Sequence, residues 1–187
     1  MYIIGTSTLS EIIVEILQGQ DKEINGFFDD FNKESHFSGV PVLGNIHFLI
    51  QEKARFIDKP LFVAIGDNEG RAKIYNLLKN EGFSFSNVIH SLACIEKSAI
   101  LGQGNYIGCF AYLGTGTTIG DGNVIFKGVS ITHHNKLGDF NFLSPNVSIG
   151  GFTELGNMVK VGMNSVIKPY IKIQSNSSFE PLSLINE

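Results

Sequence analysis

Aliphatic residues recur at every sixth position through the second half of the chain. The series continues without a miss through Ile95, Leu101, Ile107, Leu113, Ile119, Ile125, Ile131, Leu137, Leu143, Ile149, Leu155, Val161, Ile167 and Ile173. A period of six is neither the alternation of a strand nor the repeat of a helix. It is typical of a parallel β-helix, in which each short strand is followed by a turn. Three hexads would close one triangular coil, so the run predicts a little over four stacked coils.

Each hexad has its aliphatic anchor at the first position and, in most cases, a small or β-branched residue at the fifth. We expect both positions to face the interior. Glycine occupies the second position in 8 of 13 hexads, where it allows either unusual dihedral angles or close backbone packing. Solenoid ends need capping, and the segment Gln174–Glu187 is expected to cover one of them. Aromatic residues at other positions are expected to face outward and to contact identical subunits: Tyr106, Phe110, Tyr112, Phe126, Phe140, Phe142 and Phe152.

The first ninety residues show a different pattern, in which short apolar runs alternate with helical stripes. Strands are predicted at Tyr2–Ile4, Ile24–Phe28, Pro60–Ile65 and Phe83–Ile89. Helices are predicted from Thr8, over Leu43–Gln51, and after Asp67 or Asn68. This alternation is typical of a small parallel sheet of Rossmann type. We therefore expect an α/β domain at residues 1–90 and a β-helix with a C-terminal tail at residues 91–187.

Ligands of such a sheet bind at the carboxyl ends of its strands, where the sequence places three turns. The turn Gly5-Thr6-Ser7-Thr8 could offer helix N-terminal amides to a phosphate. Alternatively, Thr8 and Glu11 have capping-box spacing and only cap the helix. Asp29 and Asp30 follow the second strand and could accept hydrogen bonds from a base or a ribose, or they could form a solvated turn. Gly66-Asp67-Asn68 is the third turn.

Composition excludes several classes of function. The net charge is −4, whereas nucleic-acid binding needs a basic face. Two cysteines, Cys94 and Cys109, are too few for a disulfide framework and are expected to be free, buried thiols in a reducing cytosol. The first residues lack the features of a signal peptide, and no apolar run reaches membrane-spanning length. We therefore expect a soluble, cytoplasmic protein without membrane insertion.

The hexad that begins at Ile131 departs from the others because it reads Ile-Thr-His-His-Asn-Lys. Histidine is the side chain best suited to accept a proton near neutral pH. One coil further along, Gly151 matches the position of His133, and so small a neighbour would leave a notch for a ligand. The alternative is an inert surface histidine. A three-histidine zinc site would need a ligand from another coil, and the coils contain only His133 and His134, so no metal is expected.

Together these residues resemble the left-handed β-helix acyltransferases. Within that group the chain is similar to the bacterial sugar O-acyltransferases of the sialic-acid O-acetyltransferase type, which include the UDP-4-amino-sugar N-acetyltransferases of glycan biosynthesis. The resemblance covers nearly the whole chain. Its segments are Gly26–Asp30, Gly39–Gly44, Val63–Arg71, Val88–His90, the hexads, and His133 with Leu137–Asp139 after it.

The resemblance implies an acetyl-CoA-dependent N-acetyltransferase that acts on a nucleotide-linked amino sugar. O-acetylation of a sugar, or a binding trimer with impaired catalysis, are the alternatives. In the family the β-helices form a homotrimer that binds acetyl-CoA between neighbouring subunits. The resemblance gives His133 as the catalytic base, with His134 where an acidic residue usually follows it. It gives Phe142 and Gly151 as acetyl-CoA contacts, and it assigns the nucleotide-sugar to Ser7, Thr8, Asp29, Asp30 and Gly66.

Overall fold

The computed structural model describes residues 1–186. It divides into two compact units, Met1–Val88 and a second unit that begins at Ile89. The first unit contains nine elements: β1 (Tyr2–Ile4), α1 (Thr8–Gln18), β2 (Gly26–Phe28), β3 (His36–Phe37), β4 (Val40–Gly44), α2 (Ile46–Gln51), α3 (Lys53–Phe56), β5 (Leu61–Val63) and α4 (Asn68–Asn80). The sheet order is β3-β4-β2-β1-β5. All its pairs are parallel except β3 with β4, so the sheet is mixed.

Two elements of the first unit differ from the sequence prediction. Leu43 and Gly44 belong to β4, and α2 begins only at Ile46, where the side chain of Asn45 caps it by accepting a hydrogen bond from the Phe48 amide at 2.8 Å. The predicted strand over Phe83–Ile89 is wrong. Phe85 contributes only an isolated bridge to Leu61, and the last two residues of that segment form the first strand of the β-helix.

The start of α1 also differs from the prediction. The residue that precedes the helix is Ser7, with an extended backbone, and Thr8 is already helical. The Ser7 amide donates to Ser10 Oγ at 3.1 Å, and Ser7 Oγ donates to the carbonyl of Ala64 at 2.9 Å. The pairing of Thr8 with Glu11 is therefore replaced by a pairing of Ser7 with Ser10, one residue earlier.

The second unit is a left-handed parallel β-helix, as the hexads and their family resemblance predict. Its strands have two residues each and form three parallel sheets of six, five and six strands. The first sheet contains β7 (Cys94–Ile95), β10 (Tyr112–Leu113), β13 (Ser130–Ile131), β16 (Ser148–Ile149), β19 (Val166–Ile167) and β22 (Leu184–Ile185). The second contains β8 (Ile100–Leu101), β11 (Thr118–Ile119), β14 (Lys136–Leu137), β17 (Glu154–Leu155) and β20 (Lys172–Ile173). The third contains β6 (Val88–Ile89), β9 (Tyr106–Ile107), β12 (Val124–Ile125), β15 (Phe142–Leu143), β18 (Lys160–Val161) and β21 (Ser178–Phe179).

Paired strands follow one another at eighteen-residue intervals, as in Ile131 with Ile149, so each position of a coil lies over its equivalent in the next. The anchors and most fifth-position residues fill the interior, which confirms the inward-facing assignment. Second-position glycines are explained by close packing. A Cβ at Gly108 would lie 2.7 Å from the amide nitrogen of Lys127. The left-handed dihedral angles occur instead at the fourth position, where several residues are not glycine.

Three further expectations for the β-helix are corrected. Both cysteines are free, but Cys94 is exposed and Cys109 is only partly buried. Tyr106 and Phe140 are buried, at 3% and 7% exposure, whereas Phe110 and Phe152 are exposed. The segment after Gln174 does not form a separate cap. Residues 178–179 and 184–185 continue the coils as β21 and β22, because Phe179 and Ile185 extend the same six-residue series inward.

Candidate active site

The histidine pair lies at the corner of the β-helix between β13 and β14. His133 and His134 are both exposed, and His134 has a left-handed backbone with φ of 55°. The His134 amide donates to the carbonyl of Thr115 in the preceding coil at 2.8 Å. The His133 carbonyl accepts from the Phe152 amide in the following coil at 3.1 Å. Both residues are therefore fixed through their backbone on either side of the corner.

The two imidazoles face each other through their Nδ1 atoms, which are 3.3 Å apart. One proton fits between two such nitrogens, so one ring donates and the other accepts. When His133 donates, its Nδ1 carries the proton and its Nε2 is left unprotonated. That tautomer of His133 is able to accept a proton from a substrate, because the partner of one ring nitrogen sets the role of the other.

Gly151 lies directly beneath the imidazole of His133. A Cβ at this position would be 2.5 Å from Cε1 and 2.8 Å from Nε2 of His133, closer than atoms in contact approach. Gly151 is itself buried. The eighteen-residue register thus brings these two predicted site residues together, and any larger side chain at residue 151 would occupy the place of the histidine ring.

His134 is the first ring of a stack that continues along the corner. Phe152 lies 5.1 Å from it at an interplanar angle of 13°, and Tyr170 lies 5.3 Å from Phe152 at 5°. Phe152 and Tyr170 have left-handed φ angles of 59° and 65°, which cost a non-glycine residue about 1–2 kcal/mol each. Stacked aromatic pairs contribute about 0.5–1.5 kcal/mol each, so the stacking offsets much of this strain. Tyr170 was missed by sequence reasoning, although eighteen-residue steps from His134 lead to it.

Phe142 belongs to a different sheet of the β-helix. It is part of β15, and its ring lies 5.2 Å from the ring of Phe126, which in turn lies 5.6 Å from Tyr106. No ring contact is found between Phe142 and either histidine among the described residues. The structure therefore groups Phe142 with two other aromatic residues.

The first unit contains a pocket of about 260 Å³ at the carboxyl ends of β1, β2 and β5. Four of the five residues that the sequence assigned to the nucleotide-sugar line it, namely Ser7, Asp29, Asp30 and Gly66. Thr8 is not among the lining residues; it is exposed on the first turn of α1. The remaining wall is mostly apolar and includes side chains that sequence reasoning missed: Ile4, Phe28, Phe31, Ile46, Ile65 and Ile74.

Asp29 holds the loops around this pocket. Its Oδ2 accepts hydrogen bonds from the amide and hydroxyl of Thr6 at 2.7 and 2.8 Å. Its Oδ1 accepts from the amides of Phe31 and Asn32 at 2.7 and 2.8 Å. Burial acts to raise the pKa of Asp29, but these four hydrogen bonds outweigh it and hold the pKa below its ordinary value. The carboxylate is thus ionised and already bound to protein donors.

Asp30 is oriented differently. Its Oδ1 accepts from the amide of Ile46, the first residue of α2, at 2.9 Å, and the residue is exposed. Next to it, Phe31 is 90% exposed although it lines the pocket. An acceptor and an exposed aromatic ring at the same opening suit a flat heterocycle that carries N–H donors.

Arg71 supports the third turn of the pocket from below. It is 1% exposed, and its Nη1 donates to the carbonyls of Ile65 and Gly66 at 2.9 and 3.1 Å. Its Nη2 donates to Asn68 Oδ1 at 2.8 Å. Burial lowers the pKa of Arg71 to about 10 despite the nearby Asp67 carboxylate, so the guanidinium stays charged at neutral pH. A charged residue in the first turn of α4 gave no sequence signal of burial.

Over the described residues 1–186, no group of three or more histidine, cysteine, aspartate or glutamate side chains could hold a metal ion. Over the same residues, no helix has the length and apolar character that crossing a bilayer requires.

A mixed α/β unit with a pocket, followed by a hexapeptide β-helix with a corner histidine, defines the class of hexapeptide-repeat acyltransferases. Comparisons with known proteins narrow this class. Residues 1–78 match the family model of the PglD N-terminal domain. The chain is 26% identical to GDP-perosamine N-acetyltransferase from Caulobacter crescentus over 96% of this chain and 85% of that one, with a TM-score of 0.91. That structure is a histidine-to-alanine variant in complex with CoA and GDP-perosamine.

Two further relatives extend the comparison. The acetyltransferase domain of PglB from Neisseria gonorrhoeae, in complex with acetyl coenzyme A, has the same fold, with 24% identity, a TM-score of 0.90 and coverage of 99% of this chain and 89% of that one. An uncharacterised protein of Acanthamoeba polyphaga mimivirus is 33% identical over 143 residues, or 76% of this chain. The chain spans about a quarter of the length of that curated relative, 24%. Residues 1–78 thus match the PglD N-terminal domain, and the chain as a whole is similar to sugar N-acetyltransferases of the hexapeptide-repeat family.

Proposed function

We propose that this protein is an acetyl-CoA-dependent N-acetyltransferase that acts on a nucleotide-linked amino sugar in glycan biosynthesis. The observation that carries this proposal is the similarity over 96% of the chain to GDP-perosamine N-acetyltransferase. An accessible imidazole at a β-helix corner and a pocket at the carboxyl ends of the strands in the first unit are features that suit this reaction. We expect the reaction to occur in the cytoplasm, where acetyl-CoA is available.

In the proposed reaction His133 is the general base. The amine nitrogen of the sugar attacks the thioester carbonyl carbon of acetyl-CoA, and Nε2 of His133 takes the proton that this nitrogen loses. The tetrahedral intermediate then collapses, the carbon–sulfur bond breaks, and the proton passes to the departing sulfur of CoA. The Nδ1 atoms of His133 and His134 are 3.3 Å apart, and we propose that His133 donates to His134, which holds His133 in the required tautomer. The imidazole of His134 thus takes the place of the acidic residue expected beside the base.

Substrate binding is assigned to both units. In the first unit we propose that the nucleobase of the substrate contacts Asp30 and Phe31. The turns at Ser7 and Gly66 bind the rest of the nucleotide-sugar, and Asp29 holds the loops around the pocket in place. In the β-helix we propose that Gly151 accommodates the His133 ring, beside which the acetyl thioester binds, and that Phe142 lines the path of CoA. Acetyl-CoA is a co-substrate, and the proposed chemistry requires no metal.

We also propose that the protein is a homotrimer. Apolar side chains remain exposed on two sheets of the β-helix, including Ile100 at 65%, Val166 at 44% and Leu184 at 61%. Exposed apolar surface on a repeat protein is typical of an interface. Sedimentation equilibrium tests the trimer directly, and a monomer at micromolar concentration would contradict it.

The function is tested with the purified chain, acetyl-CoA and a panel of nucleotide-linked amino sugars. We expect thiol release together with a product that is heavier by one acetyl group and has lost its free amine. His133→Ala should abolish transfer while leaving the thermal midpoint unchanged. Full activity of this variant would remove His133 from the mechanism. Acetylation of a sugar hydroxyl would instead support a sugar O-acetyltransferase. Thermal stabilisation by both ligands without any transfer would support a binding protein with impaired catalysis.

A further inference from the structure

We propose that Phe152 and Tyr170 are positioning residues for the acetyl transfer, because they hold His134 in the orientation that fixes the tautomer of His133. This inference rests on the proposed function. It goes beyond it by placing part of the catalytic apparatus in residues that lie one and two coils away from the base. The column formed by Gly116, His134, Phe152 and Tyr170 is called the corner stack below.

The corner stack encloses both faces of the His134 ring. On one face lies Gly116, where a Cβ would be 2.9 Å from Cδ2 of His134. On the other face lies Phe152, nearly parallel at 13°. Rotation of the imidazole about its Cβ–Cγ bond would sweep the ring through both neighbours. The stack therefore keeps the ring plane fixed, and the hydrogen bond with His133 selects which edge of the ring faces it.

This orientation matters because the hydrogen bond needs Nδ1 of His134 in line with Nδ1 of His133. Without the stack, the His134 ring can tilt out of its plane, and its Nδ1 then no longer points at His133. His133 would then lose the partner that favours its Nδ1–H tautomer, and its Nε2 would carry the proton more often. Only the form with unprotonated Nε2 can take a proton from the substrate amine.

Phe152 also contacts the base itself. Its ring lies 5.2 Å from the His133 ring at 82°, an edge-to-face arrangement. The same phenyl ring therefore stacks on one histidine and limits the movement of the other. Tyr170 contacts neither histidine in this way; it stacks on Phe152 at 5°. We expect Tyr170 to act through Phe152, with a smaller effect.

The chain offers a matched control for this arrangement. Phe110 also occupies the fourth position of a hexad, has a left-handed φ of 57° and is 69% exposed. It lies in a different column of corners. Replacing Phe110 by leucine therefore repeats the loss of an exposed ring at a left-handed corner without altering the corner stack.

The test compares Phe152→Leu, Tyr170→Leu, the conservative variant Phe152→Tyr and the control Phe110→Leu. Steady-state kinetics give kcat and both KM values, and ¹⁵N NMR of labelled histidine gives the tautomer of His133 in the protein without substrate. We expect Phe152→Leu to lower kcat about tenfold or more, since misplacement of a catalytic group by about 1 Å can cost about a hundredfold. Tyr170→Leu should lower kcat about threefold. Phe152→Tyr keeps an aromatic ring at residue 152 and should have a kcat close to that of the wild type.

The tautomer measurement separates positioning from general damage. In the wild type His133 should carry its proton mainly on Nδ1, and in Phe152→Leu the population should move towards Nε2–H, with KM values and the thermal midpoint nearly unchanged. The proposal is overturned if Phe152→Leu and Phe110→Leu have equal kcat, or if kcat falls while the His133 tautomer stays the same. The NMR measurement needs no turnover. If the tautomer shifts as expected but the protein has no transferase activity, the proposed function is refuted while the positioning of His133 by the corner stack is retained.

Discussion

Replacement of Gly151 by alanine tests the packing of the proposed base with a single methyl group. The new Cβ would lie 2.5 Å from Cε1, 2.8 Å from Nε2 and 3.0 Å from Nδ1 of His133. Carbon atoms in favourable contact are about 3.5–4.0 Å apart, so the ring must retreat by about 1 Å. Because His133 is exposed, it can move outward, and the backbone at residue 151 has no left-handed φ that alanine would strain.

The expected result is a folded protein with an inactive base. We expect the free energy of unfolding to change by less than about 1 kcal/mol, as for substitutions that a side chain can accommodate. A misplacement of about 1 Å predicts a loss of about a hundredfold in kcat, equivalent to about 2.7 kcal/mol in the activation free energy. The assay is the rate of thiol release from acetyl-CoA with saturating sugar, together with a thermal melt.

A double variant decides whether the loss passes through His133. If Gly151→Ala acts only by displacing the imidazole, it should have little further effect on kcat in the His133→Ala background, since the effects of coupled residues do not add. If Gly151→Ala also raises the KM for acetyl-CoA in both backgrounds, this result would support the proposed contact between Gly151 and CoA. The reasoning is refuted if Gly151→Ala retains most of its kcat, or if it lowers the residual rate of His133→Ala by the same factor as in the wild type.

Three further predictions concern the pocket of the first unit. Asp29→Asn should destabilise this unit by about 1–3 kcal/mol at neutral pH, because a hydrogen-bonded carboxylate is lost. The folded-state pKa of Asp29 lies below the ordinary value of 3.8, so the difference in stability from wild type should be full above pH 3.8 and vanish as the pH falls through the folded-state pKa. Urea unfolding across pH 2–7 would measure this difference. Arg71→Met should lower the free energy of unfolding by about 1–3 kcal/mol, because it removes the donor to the partly buried carbonyls of Ile65 and Gly66, and an unchanged melting curve would contradict it. Phe31→Ser should leave stability unchanged and weaken nucleotide binding about tenfold by calorimetry, since a stacked ring is worth about 0.5–1.5 kcal/mol; unchanged affinity would exclude Phe31 from the base site.

The coils of the β-helix could be predicted because their physics is local and repeated. Each anchor needs only to be aliphatic and to recur at the sixth step, and the register of eighteen residues follows from closing a three-sided coil. That register also brought Gly151 beneath His133 without any other information. The handedness depended on the family resemblance, because general chirality rules for parallel strands favour the opposite hand.

The corner positions could not be predicted in the same way. Glycines at the second position drew attention as candidates for unusual dihedral angles, whereas the left-handed residues at the fourth position include His134, Phe152 and Tyr170. Local preference argues against such bulky residues there. Their conformation is imposed by the amide of each corner, which donates to the coil before it, as the Tyr170 amide does to the Gly151 carbonyl at 3.0 Å. Tertiary structure thus overrides propensity where the candidate site is located.

The pocket of the first unit could also be predicted only in part from the sequence. Ser7, Asp29, Asp30 and Gly66 could be grouped because parallel strands end at the same edge of a sheet. Their separate roles could not, since these depend on donors that are distant in sequence, such as Thr6, 23 residues from Asp29. Two adjacent aspartates therefore perform different tasks.

The histidine pair bears on how the proposed base works without an adjacent acid. A carboxylate beside a histidine both fixes its tautomer and stabilises the imidazolium that forms during catalysis, and a neutral imidazole can do only the first. Charge stabilisation would then have to come from the substrates or from another subunit, while orientation would depend on how firmly His134 is held. A partner that acts by orientation alone requires rigid packing. His134 is packed between Gly116 and Phe152, which provides that rigidity. We therefore infer that the corner stack compensates for the absence of an acidic residue beside His133.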